Sequence, residues 1–326
     1  MGQSPTKFQN TFLLHYYPFN DNKIYVFLPR SNEFYCFSVF YLKRKYMFYA
    51  DHSIVLPSGK VYFIGGERLF DPTIENFSKA VAPTDNVLAL DLNRHKGYRI
   101  DIEERERDKF VKPLPEPRSF HSLVYVNPYI YVLGGVVDNH FTKKCYRYHV
   151  SDNKWTEIAE MVKDICQVTE PGVISIGDEI IYLFDSYAKE QTIHKYVISE
   201  DKWSTVPYAT NGFSVLPAIS SLVFQISDQN LLLINGMMKE NDGYFYFFDI
   251  GKEKFILEQK HKVLKSWHHD RQGAKNYTGF PLYCMLNEKK VKIFDSIALE
   301  WKEEDLYLSK IANYDDGEGS AVCCGR

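Results

Sequence analysis

The chain of 326 residues has little net charge: 39 basic against 42 acidic side chains leave −3. No broad basic field is therefore present to recruit nucleic acid or an anionic membrane. Long apolar runs are also missing. The longest, FYCFSVFYL at 34–42, is half of the ~18 residues that a membrane-crossing helix needs. The opening MGQSPTKFQN has no continuous apolar stretch, so it does not read as a secretory signal. Six cysteines include no CxxC pair, and Cys36, Cys145, Cys166 and Cys284 fall in or near apolar segments. That pattern is expected of reduced, buried thiols in a cytosolic protein rather than of a disulfide framework, and the sequons at Asn76 and Asn276 carry little weight beside it. The chain also lacks GxSxG, a phosphate-binding Walker loop and a sialidase Asp-box. His268, His269 and Asp270 are adjacent, but neighbouring histidines point apart on an extended chain and no HxH or HxxxH companion supports them. No metal and no cofactor are expected.

Aromatic residues are abundant, with 24 Tyr and 23 Phe against 4 Trp. Such rings favour pleated, half-buried surfaces, which tilts the fold class toward strands. Six short apolar runs recur: KIYVFLP at 23–29, KVYFIGG at 60–66, YIYVLGG at 129–135, IIYLFDS at 180–186, LLLINGM at 231–237 and PLYCMLN at 281–287. Each is apolar enough to be an interior strand buried on both faces. An aromatic pair seven residues apart accompanies them: Tyr148 with Trp155, Tyr196 with Trp203, Phe248 with Phe255 and Phe294 with Trp301. Looser copies are Leu90 with Tyr98 and Val39 with Tyr46. The repeat length is about 50 residues, which is that of propeller blades. In the third copy SFHSLVYV, IYVLGG, KCYRYHV and KWTEI read as a four-stranded meander, turned at Asn127-Pro128 and Ser151–Asn153. Asp and Asn suit such turns by bonding local backbone, while Gly134 and Gly135, like Gly65 and Gly66, permit positive φ and close backbone approach. The paired rings sit on adjacent strands, expected to pack across the turn and against the next unit, with Trp155 and Trp203 largely buried. No helical pattern of useful length interrupts the series, and a β-sandwich gives no reason for the fixed period.

The third unit, PRSFHSLVYVNPYIYVLGG with Tyr148 and Trp155, resembles the kelch-repeat family, Pro117-Arg118 and His121 standing as the lead-in to the first strand. The likeness runs over 12–303, flanked by an arm at 1–11 and a tail at 304–326. The glycine pair is replaced by Phe184-Asp185 in the fourth unit and Asn235-Gly236 in the fifth, and is absent from the first and sixth. The resemblance implies an all-β, six-bladed kelch-type β-propeller with four antiparallel strands per blade. It also implies a rigid surface for binding other proteins. No BTB, BACK or F-box module has room beside the repeats, so any ligase-adaptor role would need a separate subunit.

In a meander, the first-to-second and third-to-fourth turns share one face. The other face receives longer segments, at 67–85, 102–118, 136–143, 157–170, 205–218 and 257–277, and long loops on a rigid scaffold carry recognition. The side chains there that folding does not need are Arg68, Phe70, Asp138, His140, Phe141, Tyr187, Met237, Met238, Trp267, His268 and Arg271. Aromatic, Arg and Met groups anchor interfaces, so these are the expected partner-binding residues. The run EERERDK at 103–109 reads as a solvated connection. The function expected is a non-catalytic protein–protein interaction scaffold, monomeric by itself, with another protein as partner and no nucleic acid. The alternative is a sugar-type isomerase or an oxidase working at the central channel. Met1-Gly2-Gln3-Ser4-Pro5-Thr6 also fits an N-myristoylation pattern. One myristoyl chain anchors marginally, so Cys323 or Cys324 in the AVCCGR tail is the candidate for a second acyl group. A cytoplasmic protein attached to membranes only through lipidated termini would result.

Overall fold

The computed structural model describes residues 12–17, 23–28, 33–41, 47–49, 53–69, 81–91, 99–102, 111–162, 172–185, 192–207, 222–235, 242–262, 282–287, 290–295 and 300–305. They form strands joined by turns, with one short 3-10 turn at Ile198–Glu200. Six sheets follow one another along the chain. The first holds β1 (Phe12–Tyr17), β2 (Lys23–Leu28), β3 (Glu33–Tyr41) and β10 (Arg99–Ile102). The second holds β5 (Ser53–Val55), β6 (Lys60–Ile64) and β9 (Val87–Asp91), and the third β11 (Ser122–Val126), β12 (Tyr129–Leu133), β15 (Cys145–His149) and β16 (Lys154–Ile158). The fourth holds β17 (Gly172–Ile176), β18 (Ile180–Asp185), β19 (Thr192–Val197) and β20 (Lys202–Pro207). The fifth holds β21 (Leu222–Ser227), β22 (Asn230–Asn235), β23 (Asp242–Asp249) and β24 (Lys254–Lys262). The sixth holds β25 (Leu282–Asn287), β26 (Lys290–Asp295) and β27 (Glu300–Asp305). Two small additions stand outside this series: β4 (Met47–Tyr49) with β7 (Glu67–Leu69) and β8 (Val81–Pro83), and the hairpin β13 (Val136–Val137) with β14 (His140–Phe141).

The third, fourth and fifth sheets are the expected four-stranded antiparallel meanders. The others depart from that pattern. β10 joins the first sheet by pairing parallel to β3, with Ile100 opposite Val39. The residues that should have closed that sheet, Met47–Tyr49, pair with β7 instead, so the outer edge of β3 is taken by a later segment. The second sheet is left with three strands among the described residues, and Tyr46 and Tyr98 lie outside them. The sixth sheet likewise shows three strands among the described residues. PLYCMLN falls on β25 from Leu282 onward, and 263–281 lie outside the described residues. Phe294 and Trp301 face each other across β26 and β27, as Tyr148 and Trp155 do across β15 and β16. Several segments expected as loops are strands: β7 and β8 lie within 67–85, β13 and β14 within 136–143, and β24 runs on to Lys262.

Alternation along the second strands explains why they are apolar throughout. On β12, Ile130 and Val132 face a core shared with Tyr62 and Ile64 of the second sheet. Tyr131 and Leu133 face the other way, into a core with Ile181, Leu183, Tyr196 and Trp203 of the fourth. Successive side chains point to opposite faces, so a strand between two sheets needs apolar residues at every position. Full burial of each such side chain contributes ~1.5–3 kcal/mol over leaving it in water. A third core joins Tyr182 and Phe184 to Phe248 and Phe255. The first strands are neighbours as well: β5 contacts β11, β11 contacts β17, and β17 contacts β21, while β1 contacts both β5 and β25.

Candidate functional site

Three of the aromatic pairs pack on the preceding sheet, not on the following one as the spacing alone led us to expect. Tyr148 lies 5.9 Å from Tyr62, Tyr196 6.1 Å from Tyr131, and Phe248 5.7 Å from Tyr182, measured between ring centroids. Within a pair the rings are 4.9 Å apart for Tyr148–Trp155 and Tyr196–Trp203. A third residue completes the device. Asn153 and Asp201, both left-handed at φ 52 and 48, occupy the same turn position five residues after the tyrosine. Asn153 Oδ1 accepts from Tyr148 Oη at 2.8 Å and from Lys112 N at 2.7 Å, while Trp155 Nε1 donates to Lys112 O at 2.9 Å. Asp201 Oδ1 accepts from Tyr196 Oη at 2.6 Å and from Ala159 N at 2.8 Å, and Trp203 Nε1 donates to Ala159 O at 2.9 Å. The turn side chain thus bonds the chain arriving from the previous sheet, over 40 residues away, rather than its local backbone. Burial pushes both tyrosine hydroxyls well above their ordinary range, so they stay protonated donors. Trp203 is buried at 5% exposure, whereas Trp155 is only half-buried, a correction to its expected burial: its indole lies at the rim, against Lys112.

The second-to-third-strand connections stand on the opposite side of the sheets from these turns. The arm of β7 and β8 closes at its root through Thr84 N to Gly66 O, 2.9 Å, and the arm of β13 and β14 through Thr142 N to Gly135 O, 3.0 Å. Arg118 and Ser119 lie between the two roots. Arg118 bridges to Thr84 and Ser119 to Val136, with Gly66 N donating to Arg118 O and Val136 N to Ser119 O, each at 2.8 Å. The approach is close enough to require glycine. A Cβ on Gly65 would lie 2.8 Å from Arg118 O, and one on Gly135 2.5 Å from Ser119 O, both at positive φ. His121 fills the space beside both glycines and is buried, in keeping with a strand-lead role.

Arg118 is fully buried, and both of its terminal nitrogens are engaged. Its Nη1 donates to Gly134 O and Lys144 O, both at 2.9 Å, its Nη2 pairs with Glu116 at 2.9 Å, and its guanidinium lies 4.8 Å over the Tyr146 ring. Glu116 also takes Lys144 Nζ at 2.9 Å. Burial pulls the guanidinium below its usual range, against the opposing pull of the Glu116 charge. Gly134 and Lys144 are the two ends of the hairpin arm, so this buried cation fixes where the arm leaves the sheet. At the tip Asp138 and Asn139 adopt φ 49 and 63, the two positive values that a tight two-residue hairpin turn needs.

Of the expected binding residues, Asp138, His140 and Phe141 come together on this hairpin and are exposed. Arg68 lies in β7, opposite Phe48, on the neighbouring arm. Phe70, Tyr187, Met237, Met238, Trp267, His268 and Arg271, with Gly2, Cys323 and Cys324, fall outside the described residues. Sequence reasoning missed Val162, which is half-exposed and adjoins the hairpin because Met161 N donates to Lys143 O at 3.0 Å. It also missed Glu116 and the clamp role of Asn153 and Asp201. The offset Tyr-x4-Asx-x-Trp, present twice, was the signal for the last two. Cys145 is buried, and burial pushes its thiol up to about 12, so it is no nucleophile in the folded state. Among the described residues no group of three or more His, Cys, Asp or Glu side chains is placed to hold a metal ion, and no helix is long and apolar enough to cross a membrane.

Consecutive meander sheets, packed face to face through clamped aromatic pairs and bearing loop arms on one side, define a β-repeat protein. Residues 117–162 match the family model of the Kelch motif, which supports assignment of the chain to the kelch-repeat family. That span covers the third sheet together with the Arg118 lead-in and the first clamp. No curated protein matches the chain.

Proposed function

We propose that the chain is a closed six-bladed propeller serving as a non-catalytic scaffold for protein binding, with the arm-bearing face as its binding surface. One observation carries the reading: the hairpin tip with Asp138, His140 and Phe141 is held in place by the buried Arg118, yet contributes exposed side chains to no core. A side chain such as Phe141, 37% exposed on a fixed turn, is the kind of aromatic anchor that protein interfaces use. Contact of β1 with β25 supports closure, since it makes the first and last sheets neighbours. Kelch motifs in general mediate interactions between proteins, which agrees with this assignment. Affinity capture from cells that express the protein tests it. A His140→Ala/Phe141→Ala variant should lose its main partner at least about tenfold, while Asn127→Ala, on the opposite face, should retain it. The reverse pattern would place binding on the turn face. Cytoplasmic residence and acylation at Gly2, Cys323 or Cys324 belong to the same reading, and intact-mass analysis of native protein decides the latter.

A further inference from the structure

Three junctions between consecutive sheets can be compared residue by residue. Between the second and third sheets, and again between the third and fourth, an Asx side chain and a tryptophan indole grip one backbone segment, at Lys112 and at Ala159. Between the fourth and fifth sheets the corresponding positions are Phe248, Glu253 and Phe255, with Glu253 again left-handed at φ 49. Phenylalanine has no hydrogen to donate, so the hydroxyl and indole arms of the clamp cannot form there. Glu253 reaches across instead: its Oε1 accepts from Tyr182 Oη at 2.9 Å and pairs with Lys195 Nζ. Lys195 also stands 6.0 Å from the centroid of the Tyr182 ring.

We propose that this junction is a charge latch, and that the array of sheets opens here before it opens at either clamped junction. At the clamped junctions the Asn153 and Asp201 side chains bond tyrosine hydroxyls and backbone N–H groups rather than a cation, and such bonds respond less to salt than an ion pair does. An ion pair whose side chains are 23% and 33% exposed is reached by counterions and weakened by them. Tyr182 from β18 and Lys195 from β19 are the titratable groups that meet Glu253 from the fourth sheet. On its own turn Lys252 is engaged by Asp249 and Lys254 follows in the strand. Burial acts to raise the Glu253 carboxyl, but the bonds from Lys195 and Tyr182 outweigh it and hold the group below its ordinary range. The carboxylate therefore stays ionised through neutral pH, and the latch answers to ionic strength there rather than to protons.

Hydrogen exchange of the full-length protein at neutral pH, read strand by strand at about 0.02 M and about 0.5 M salt, tests this. High salt should speed exchange in β20 and β24 about tenfold relative to β12 and β15. Glu253→Ala should do the same at low salt and abolish the salt response, whereas Asn153→Ala should loosen β16 without creating one. Equal acceleration in all sheets, or no effect of salt on β20 and β24, would overturn the latch. Should Glu253→Ala fail to fold, the salt comparison on the unaltered chain decides alone.

Discussion

Trp203 and Trp155 hold the same place in consecutive sheets and make the same indole bond, yet they differ in burial. Trp203 is 5% exposed and packs with Tyr131, Ile181 and Leu183, while Trp155 only borders the core of Tyr62 and Tyr148. The burial difference sets the cost of truncation. Trp203→Ala should destabilise the protein by ~3–5 kcal/mol, and Trp155→Ala by about half of that or less. Midpoints of denaturant unfolding check the order, and a larger loss at Trp155 would contradict it. Removing the Asn153 acceptor would be felt more than the exposed turn implies, because Tyr148 Oη and Lys112 N both depend on it.

Among the elements, the lead-in 118–121 is the tightest point. Gly135→Ala would drive a Cβ to 2.5 Å from the carbonyl of Ser119 at φ +102, where neither backbone can yield. It should cost more than ~3 kcal/mol. Gly177→Asn, at φ +54 with nothing within 4 Å, should change stability by less than ~1 kcal/mol. Thermal melts of the two variants provide the comparison. The second strands β6, β12, β18 and β22 were legible because burial on both faces leaves an unbroken apolar run. The spacing of seven was legible too: Phe294 stands opposite Trp301 as Tyr148 stands opposite Trp155. The parallel pairing of β10 with β3 left no trace at all, since it depends on which edge stands open rather than on local pattern. Of the binding side, the hairpin residues Asp138, His140 and Phe141 were legible as dispensable to folding. The Arg118–Glu116–Lys144 network beneath them was not, because it joins residues through space.

For the molecule as a whole, the inner strands β5, β11, β17 and β21 touch in succession, and β1 touches β5 and β25. A closed ring of this length should be a compact body with a radius of gyration of about 20 Å. Small-angle scattering measures it, and a markedly larger value with an elongated profile would mean that the sheets form an open row. Closure also bears on stability, since sheets that bury both faces lose a whole core when either neighbour leaves.

Cys145 lies at 0% exposure in the core between the third and fourth sheets, its thiol pushed up to about 12 by burial. Alkylating reagents act on the thiolate and need access, and the folded state denies them both. The rate at which this one sulfur is alkylated therefore becomes a clock for the parting of its two sheets, readable from the mass of a single peptide.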